Sequence, residues 1–534
     1  MNRFDQMDVL FVGAGPASLA GAIRLKQLLR EKGRPESVVV IEKGGRTGHH
    51  NLSGAVFEAA VLDELVPDWR ERRDRFVVRA LANRVERDEL YYFPGKRSSI
   101  RIPDAIVPAA MRHRGDLIVS VSELVRWLAG VAGEFGVEVY PGFAARELLV
   151  EGDWVRGVRL VDRGLDRNGR PQSNYLPGES LTAGVTVLGE GSLGPLADQV
   201  IRRFDLDRGR NARLVSVGVK EMIRLPAGNA FGANRAVHAA GYPNLGTFGG
   251  GTVYSMGENL VAVALVLGLD WKYADLNPHR ELQVFKSHKL VQEWLEGGKV
   301  VEYGAKTLPE GGYFAVPQLV VNGAVMIGDD AGLTNVSKLK GLHYAIKSGM
   351  LAAEAIFEAL VAGSCAREEL QRYEARLEES FVMKDLAAAR NYRQVFARAG
   401  PLMGMPLSLV QRWLPPLGNR PDHVSLTPRR LGGNRAGGVD RLTDVSFSGT
   451  HHREGAPAHI AVIDPALCAK CRERFGLYPC ESFCPGEVYK ASGDGLALSP
   501  SNCLHCQTCR EKCPYRNVSW QVPEGGDGPM YRMM

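Results

Sequence analysis

Eight of the nine cysteines lie between Cys468 and Cys513, near one end of a 534-residue chain. Disulfide-held secreted chains spread their cysteines out, so a cluster at one end points to metal ligation. The run Cys503-Leu-His-Cys506-Gln-Thr-Cys509-Arg-Glu-Lys-Cys513-Pro514 has the spacing Cys-x2-Cys-x2-Cys-x3-Cys-Pro. At that spacing three thiolates wrap one 4Fe–4S cube and the fourth reaches a second one. Upstream, Cys468-Ala-Lys-Cys471 is followed after an insertion by Cys480-Glu-Ser-Phe-Cys484-Pro485, a looser copy of the same half-motif. Crossed ligation then assigns Cys484, Cys503, Cys506 and Cys509 to one cluster, and Cys468, Cys471, Cys480 and Cys513 to a second. Cys-x2-Cys pairs also serve zinc. The two Cys-Pro steps and the three-cysteine run favour iron–sulfur. His505 reads as part of the cluster environment, and Cys365 as an ordinary surface or half-buried thiol.

The opposite end of the chain carries a nucleotide fingerprint. Val9 to Val12 is a buried-strand pattern, and Gly13-Ala-Gly15-Pro16-Ala17 is a tight turn. A helical period runs from Ala17 to Leu29. Such a helix aims its first peptide N–H groups at a pyrophosphate. A second strand, Val38 to Ile41, ends in Glu42, where an acidic side chain meets the adenosine ribose; Lys43 follows it. The third fingerprint glycine is replaced by Ser18.

Two later strand–turn segments favour FAD over NAD. One runs from Val185 to Ser192 and contains Glu190. The other, Val325 to Gly332, contains Gly328 and Asp329 and precedes a helical stretch from Gly341 to Leu360. Gly249-Gly250-Gly251 lacks fingerprint spacing, so no dedicated NAD(P)H fold is visible.

Net charge is +6, a mild surplus that does not indicate nucleic acid. No signal-like head precedes the first strand, and no apolar run reaches the length of a membrane span. Between Gly400 and Pro415 lies a short apolar run broken by Gly and Pro, with Arg398, Arg412 and Trp413 around it. Core packing and shallow insertion into one leaflet both fit that pattern. Residues 418–441 are rich in Pro, Gly and Arg and read as a linker that would suit an anionic surface.

With these motifs in place, the chain resembles the electron transfer flavoprotein–quinone oxidoreductase family, including Fix-type flavoproteins with their small ferredoxin-like partners. The resemblance spans nearly the whole chain. It is carried by Gly48 to Val56, which includes Ser53 and Gly54, by Val263 to Trp271, Leu295 to Lys299 and Tyr303 to Gly312, and by Asn335 to Gly341, Ser448-Gly-Thr and Val522 to Tyr531. It implies an α/β, glutathione-reductase-type FAD-binding fold with an inserted α+β quinone domain and a C-terminal bacterial-ferredoxin-like α+β domain. The expected boundaries are 1–200 and 325–365 for the FAD domain, 201–324 for the quinone domain, 366–450 for a helical membrane-proximal segment and linker, and 451–534 for the 4Fe–4S domain.

The resemblance also implies one FAD, oxidation of a reduced heterodimeric electron transfer flavoprotein, reduction of ubiquinone or menaquinone, and peripheral attachment to the cytoplasmic face of a membrane. Tyr242, Gly249 and Gly250 are the expected quinone contacts. Mitochondrial-type members carry one cluster, on the equivalents of Cys484, Cys503, Cys506 and Cys509. The additional cysteines here suggest two, as in assemblies with an electron-bifurcating donor. The family usually has an Arg near the position of Ser120. Two other readings fit the fold: an FAD-dependent reductase or hydroxylase of a hydrophobic substrate, and a non-catalytic redox relay subunit.

Overall fold

The computed structural model describes residues 7–53, 56–431, 439–493 and 495–534. Strand β1 (Met7–Val12) is buried at every position but one, as expected of a parallel strand covered on both faces. Helix α1 (Pro16–Glu31) starts with Pro at its first turn, where no N–H is needed. Strand β2 (Val38–Glu42) pairs parallel with β1. These elements sit in an eight-stranded sheet, where β1 also pairs with Ser180–Leu188 and β2 with Glu138–Pro141. Ala324–Met326 pairs parallel with Ser180–Leu188. The long helix Leu342–Ala362 crosses α1 where two glycines meet: a Cβ on Gly21 would stand 2.9 Å from the Gly349 carbonyl oxygen. The crossing therefore brings two backbones together rather than two side chains.

A second, seven-stranded sheet has the order Lys299–Pro309, Val215–Arg224, Leu260–Gly268, Gly249–Gly257, Arg235–Gly241, Arg87–Gly95, Ser98–Arg101. One face packs a core with Phe93, Phe285 and Trp294. The other looks toward the first sheet, where Val56, Tyr254, Met222 and Tyr531 form a smaller core.

Two expected boundaries change. Arg87–Gly95 and Ser98–Arg101 fall within 1–200 yet belong to the second sheet, because Arg87–Gly95 pairs parallel with Arg235–Gly241. At the other end, Val320–Val321 already pairs within the first sheet, short of residue 325. The supposed linker is also anchored. Asp422 is buried and accepts the Val215 N–H at 2.9 Å, and Leu431 N donates to Asp275. Arg435, one of the arginines of that stretch, lies outside the described residues.

The cysteine-bearing segment holds two short antiparallel strand pairs, Ile460–Val462 with Val518–Trp520 and Tyr489–Ser492 with Gly495–Leu498, and helices Pro465–Phe475, Pro479–Phe483 and Thr508–Lys512. Its tail then returns over the first sheet. Gly526 N donates to Lys43 O at 2.8 Å and Tyr531 N to His49 O at 3.0 Å. Ser120 caps helix Val121–Glu134, and its hydroxyl donates to Met534 O at 2.9 Å.

Candidate functional site

The fingerprint turn is built on Gly13, at φ 92°. A Cβ there would stand 2.6 Å from the Gly189 carbonyl oxygen, so only glycine fits. Gly15 caps α1 without a side-chain hydrogen bond, and Pro16 follows, so the first-turn amides stay available to an anion. Ala17 is wedged against Gly328: a Cβ at Gly328 would meet the Ala17 Cβ at 3.0 Å. Ser18 is fully buried, and its hydroxyl has no hydrogen-bond partner. It fits because its neighbour is Gly189, where a Cβ would stand 2.2 Å from the Ser18 oxygen. The close packing usually given by the third glycine comes here from a glycine on another strand.

Glu42 closes the turn. Its carboxylate accepts Ala14 N at 2.9 Å and Gly44 N at 2.7 Å. Glu190 accepts Leu196 N and Ala197 N, and burial pushes its carboxyl up to about 7. Asp329 is held up by burial and accepts from Thr334 at 3.3 Å. Asp330 beside it accepts the Glu190 N–H, and one of its buried oxygens has no partner. Gly341 caps the long helix, again with no side-chain hydrogen bond. Two bare helix N-termini, Glu42 and these buried orphaned atoms suit a dinucleotide. Ser53 lies at the rim, its carbonyl accepting Lys220 Nζ at 2.9 Å. Gly54 lies outside the described residues.

The thiols sort into two neighbourhoods. Asn517 joins the first: its backbone N–H reaches Cys513 Sγ at 3.3 Å and its side-chain amide reaches Cys468 Sγ at 3.3 Å. Cys471 and Cys480 both feel Cys513 and Cys468, and burial followed by these sulfurs pushes the Cys471 thiol up to about 12. In the second, burial and then Cys506, Cys509 and Cys484 push Cys503 well up. N–H groups of His505 and Val488 point at Cys503 and Cys484. Four thiols with N–H···S bonds in each set suit iron–sulfur ligation. Cys365 is a half-buried thiol held up by burial.

Sequence reasoning missed the histidines around His505. His452, His459 and His505 bring ring nitrogens within 4.8 Å of one another. The His452 and His459 rings stack 4.6 Å apart at 8° to each other, so their in-plane lone pairs cannot converge on one ion. His452 and His505 instead approach through their Nε2 atoms at 2.8 Å. Lys43 bridges the two ends of the chain, its ammonium 5.4 Å from the Trp520 ring. Burial lowers both Lys43 and Lys306, the latter to about 8; Lys306 feels Glu42, Asp329 and Cys506.

The expected quinone residues separate. A Cβ at Gly251 would run into the Phe285 ring, so strand alternation sends Gly250, Thr252 and Tyr254 to the opposite face, toward the first sheet. Gly249 is pressed against the Val266 carbonyl oxygen. Tyr242 stands 6.2 Å from His288, which stacks on Phe93 in the far core. The apolar run is exposed in part: Leu409 and Trp413 are each 65% exposed, with Met403, Met405 and Val410 beside them. Among the described residues no helix is long and apolar enough to cross a membrane.

Comparison with known proteins fits this geometry. The family model "Electron transfer flavoprotein-ubiquinone oxidoreductase, 4Fe-4S" matches residues 437–532, and "ETF-QO, ubiquinone-binding" matches residues 215–308. The electron transfer flavoprotein-ubiquinone oxidoreductase of Pseudomonas aeruginosa is 37% identical over 559 residues, covering 100% of both chains. The mitochondrial protein of that name from Mus musculus is 38% identical over 568 residues, covering 100% of this chain and 90% of its own. Among solved structures, a geranylgeranyl bacteriochlorophyll reductase-like protein from Thermoplasma acidophilum covers 77% of this chain and 92% of its own at TM-score 0.55 and 18% identity. A flavin-dependent brominase variant covers 76% of this chain and 92% of its own at TM-score 0.51 and 15% identity. The latter two share the fold of FAD-binding flavoenzymes. Full-length identity at this level, with both family models on the segments that carry the thiols and the second sheet, shows that the chain belongs to the electron transfer flavoprotein–ubiquinone oxidoreductase family.

Proposed function

We propose that the chain takes electrons from a reduced electron transfer flavoprotein and delivers them to a membrane quinone, holding one FAD and two 4Fe–4S clusters. When bound, these groups supply the redox chemistry: clusters exchange single electrons, and flavin exchanges one or two. The first-turn amides of α1 receive the pyrophosphate and Glu42 the ribose. The bare N-terminus at Gly341 faces the flavin. Cys484, Cys503, Cys506 and Cys509 hold one cluster, and Cys468, Cys471, Cys480 and Cys513 the other, in a ferredoxin-like unit. The second sheet serves as the quinone domain, through the Gly250 face.

The observation that carries this reading is the contact between the two ends of the chain. Lys43, one residue past Glu42, lies against Trp520 of the cysteine unit, and the Cys503 neighbourhood is the nearer of the two to it. The exposed apolar side chains of Met403, Met405, Leu409, Val410 and Trp413, with Arg412 over the Trp413 ring at 4.2 Å, support docking on a membrane surface, on our reading the cytoplasmic one. The test is turnover of the purified holoenzyme with reduced electron transfer flavoprotein and a short-chain ubiquinone, set against NADH and oxygen. Quinone reduction with the first pair alone supports the reading; activity only with NADH overturns it.

A further inference from the structure

A quinone becomes a quinol by taking up two electrons and two protons, and the donor flavoprotein accounts only for the electrons. We infer that a row of buried side chains, Glu58, Lys340, Asp116, His113, His238 and Tyr254, carries protons from solvent to the face of the second sheet that receives the quinone. This rests on the quinone-reductase reading above.

The side chains follow one another in close contact, hydrogen-bonded from Glu58 to Asp116 and from His238 to Tyr254, with the His113 ring packed between these two stretches. Glu58, with a side chain 35% exposed, is its outer end, and Lys340 Nζ donates to it at 2.8 Å. The same ammonium donates to Asp116 Oδ2 at 2.6 Å, and His113 Nδ1 lies 3.7 Å from that oxygen. The His113 and His238 rings have centroids 4.7 Å apart. His238 Nε2 lies 2.5 Å from the Tyr254 hydroxyl. His238 opposes Thr252, and Gly250 and Tyr254 flank Thr252 on the same face. Both His238 and Tyr254 fall inside the residues matched by the ubiquinone-binding model. Lys340 immediately precedes Gly341, the cap of the helix assigned to the flavin.

Two features set this row apart from a structural polar network. First, His113 is 1% exposed, and neither ring nitrogen has a hydrogen-bond partner. A buried polar group left without a hydrogen bond is destabilising, and packing alone gives no reason to retain it. Second, the charges do not balance. Glu58, Asp116 and Asp88, whose carboxylate accepts the His113 backbone N–H at 2.6 Å, face one permanent cation, Lys340. Nearby Lys338 is paired with Asp385, and Arg84 donates to the Gly115 carbonyl. His343, 3.8 Å from Glu58, is held down to about 4 by burial and stays neutral. Burial holds the Asp88 carboxyl up. Three carboxylates around one lysine leave the row able to take up a proton. For each of the two protons, Tyr254 gives its O–H proton to a quinone oxygen and takes one from His238, which burial keeps neutral and which is refilled in turn along the row from Glu58. Each quinol formed takes two protons from solvent, and the row ends unchanged.

The test uses two acceptors on the holoenzyme with reduced electron transfer flavoprotein: a short-chain ubiquinone, which needs protons, and ferricenium, which takes one electron and none. In Tyr254→Phe and His238→Gln, quinone reduction should fall at least about tenfold while ferricenium reduction stays within about twofold. The solvent deuterium isotope effect on quinone reduction should rise in both variants. Equal losses with both acceptors, or undiminished quinone reduction in both variants, overturns the row. Wild-type enzyme that reduces ferricenium but not ubiquinone overturns the quinone reading instead.

Discussion

The ring of His505, set between Cys503 and Cys506, meets the ring of His50 edge-on with centroids 5.2 Å apart. His50 Nδ1 in turn lies 3.9 Å from the Glu42 carboxylate. Gly528 makes the approach feasible, since a Cβ there would stand 2.6 Å from the His505 ring and 2.7 Å from the His50 ring. The thiol loop and the nucleotide fingerprint are thus brought together by the chain's returning tail.

Glu42 is the first residue to test. Its two oxygens hold the Ala14 and Gly44 amides inside the turn. Glu42→Ala leaves both unpaired, costing about 1–3 kcal/mol for each, and removes the proposed ribose partner. The expected result is a folded protein that loses FAD on dilution, followed by flavin fluorescence of the filtrate and by thermal melting.

The two thiol neighbourhoods predict an iron count. Holoenzyme should contain about eight iron atoms per chain. Cys480→Ser should halve that count and leave the electron paramagnetic resonance signal of the Cys503 set. A wild-type count near that of the variant would remove the second cluster.

Much of this site was legible in the sequence, because its parts are local. A glycine turn between a strand and a helix, an acid at the end of the next strand, and cysteines at fixed intervals each declare themselves within a dozen residues or so. Pairings made across the chain do not. Arg87–Gly95 carries no local sign that it will pair with Arg235–Gly241. Gly189 looks like turn punctuation until Ser18 is seen packed against it. Gly249 and Gly250 read as a quinone approach, whereas Gly249 is pressed against the Val266 carbonyl oxygen and only Gly250 faces the first sheet. His113, His238 and Tyr254 come from three segments, so their row shows only in the folded chain.

Stability should respond to pH through Lys220, which is fully buried and lowered by burial from 10.5 to about 8. Between those values the unfolded chain holds a proton that the folded chain lacks, so this group makes stability rise with pH. The penalty is full below about 8 and is relieved toward 10.5. Lys220→Met removes a penalty of up to about 3 kcal/mol at neutral pH, and its advantage over wild type should shrink as pH climbs through that window. Denaturant melts at several pH values check this.

Leu409 and Trp413 stand out from the surface and offer apolar area to a lipid interface. Replacing both with Glu should abolish co-sedimentation with vesicles containing anionic lipid while FAD content stays unchanged. Unaltered sedimentation would place the membrane contact elsewhere.

The central claim is that the thiol set beside the nucleotide site lies on the route from donor to quinone. Cys506→Ser tests it most directly, by the rate of quinone reduction supported by reduced electron transfer flavoprotein. The variant should keep its FAD, which is bound by residues of the first sheet, and dithionite should still reduce that flavin. Donor-dependent quinone reduction should stop. A variant that retains the full donor-dependent rate would take the cysteine unit off the route and contradict the account.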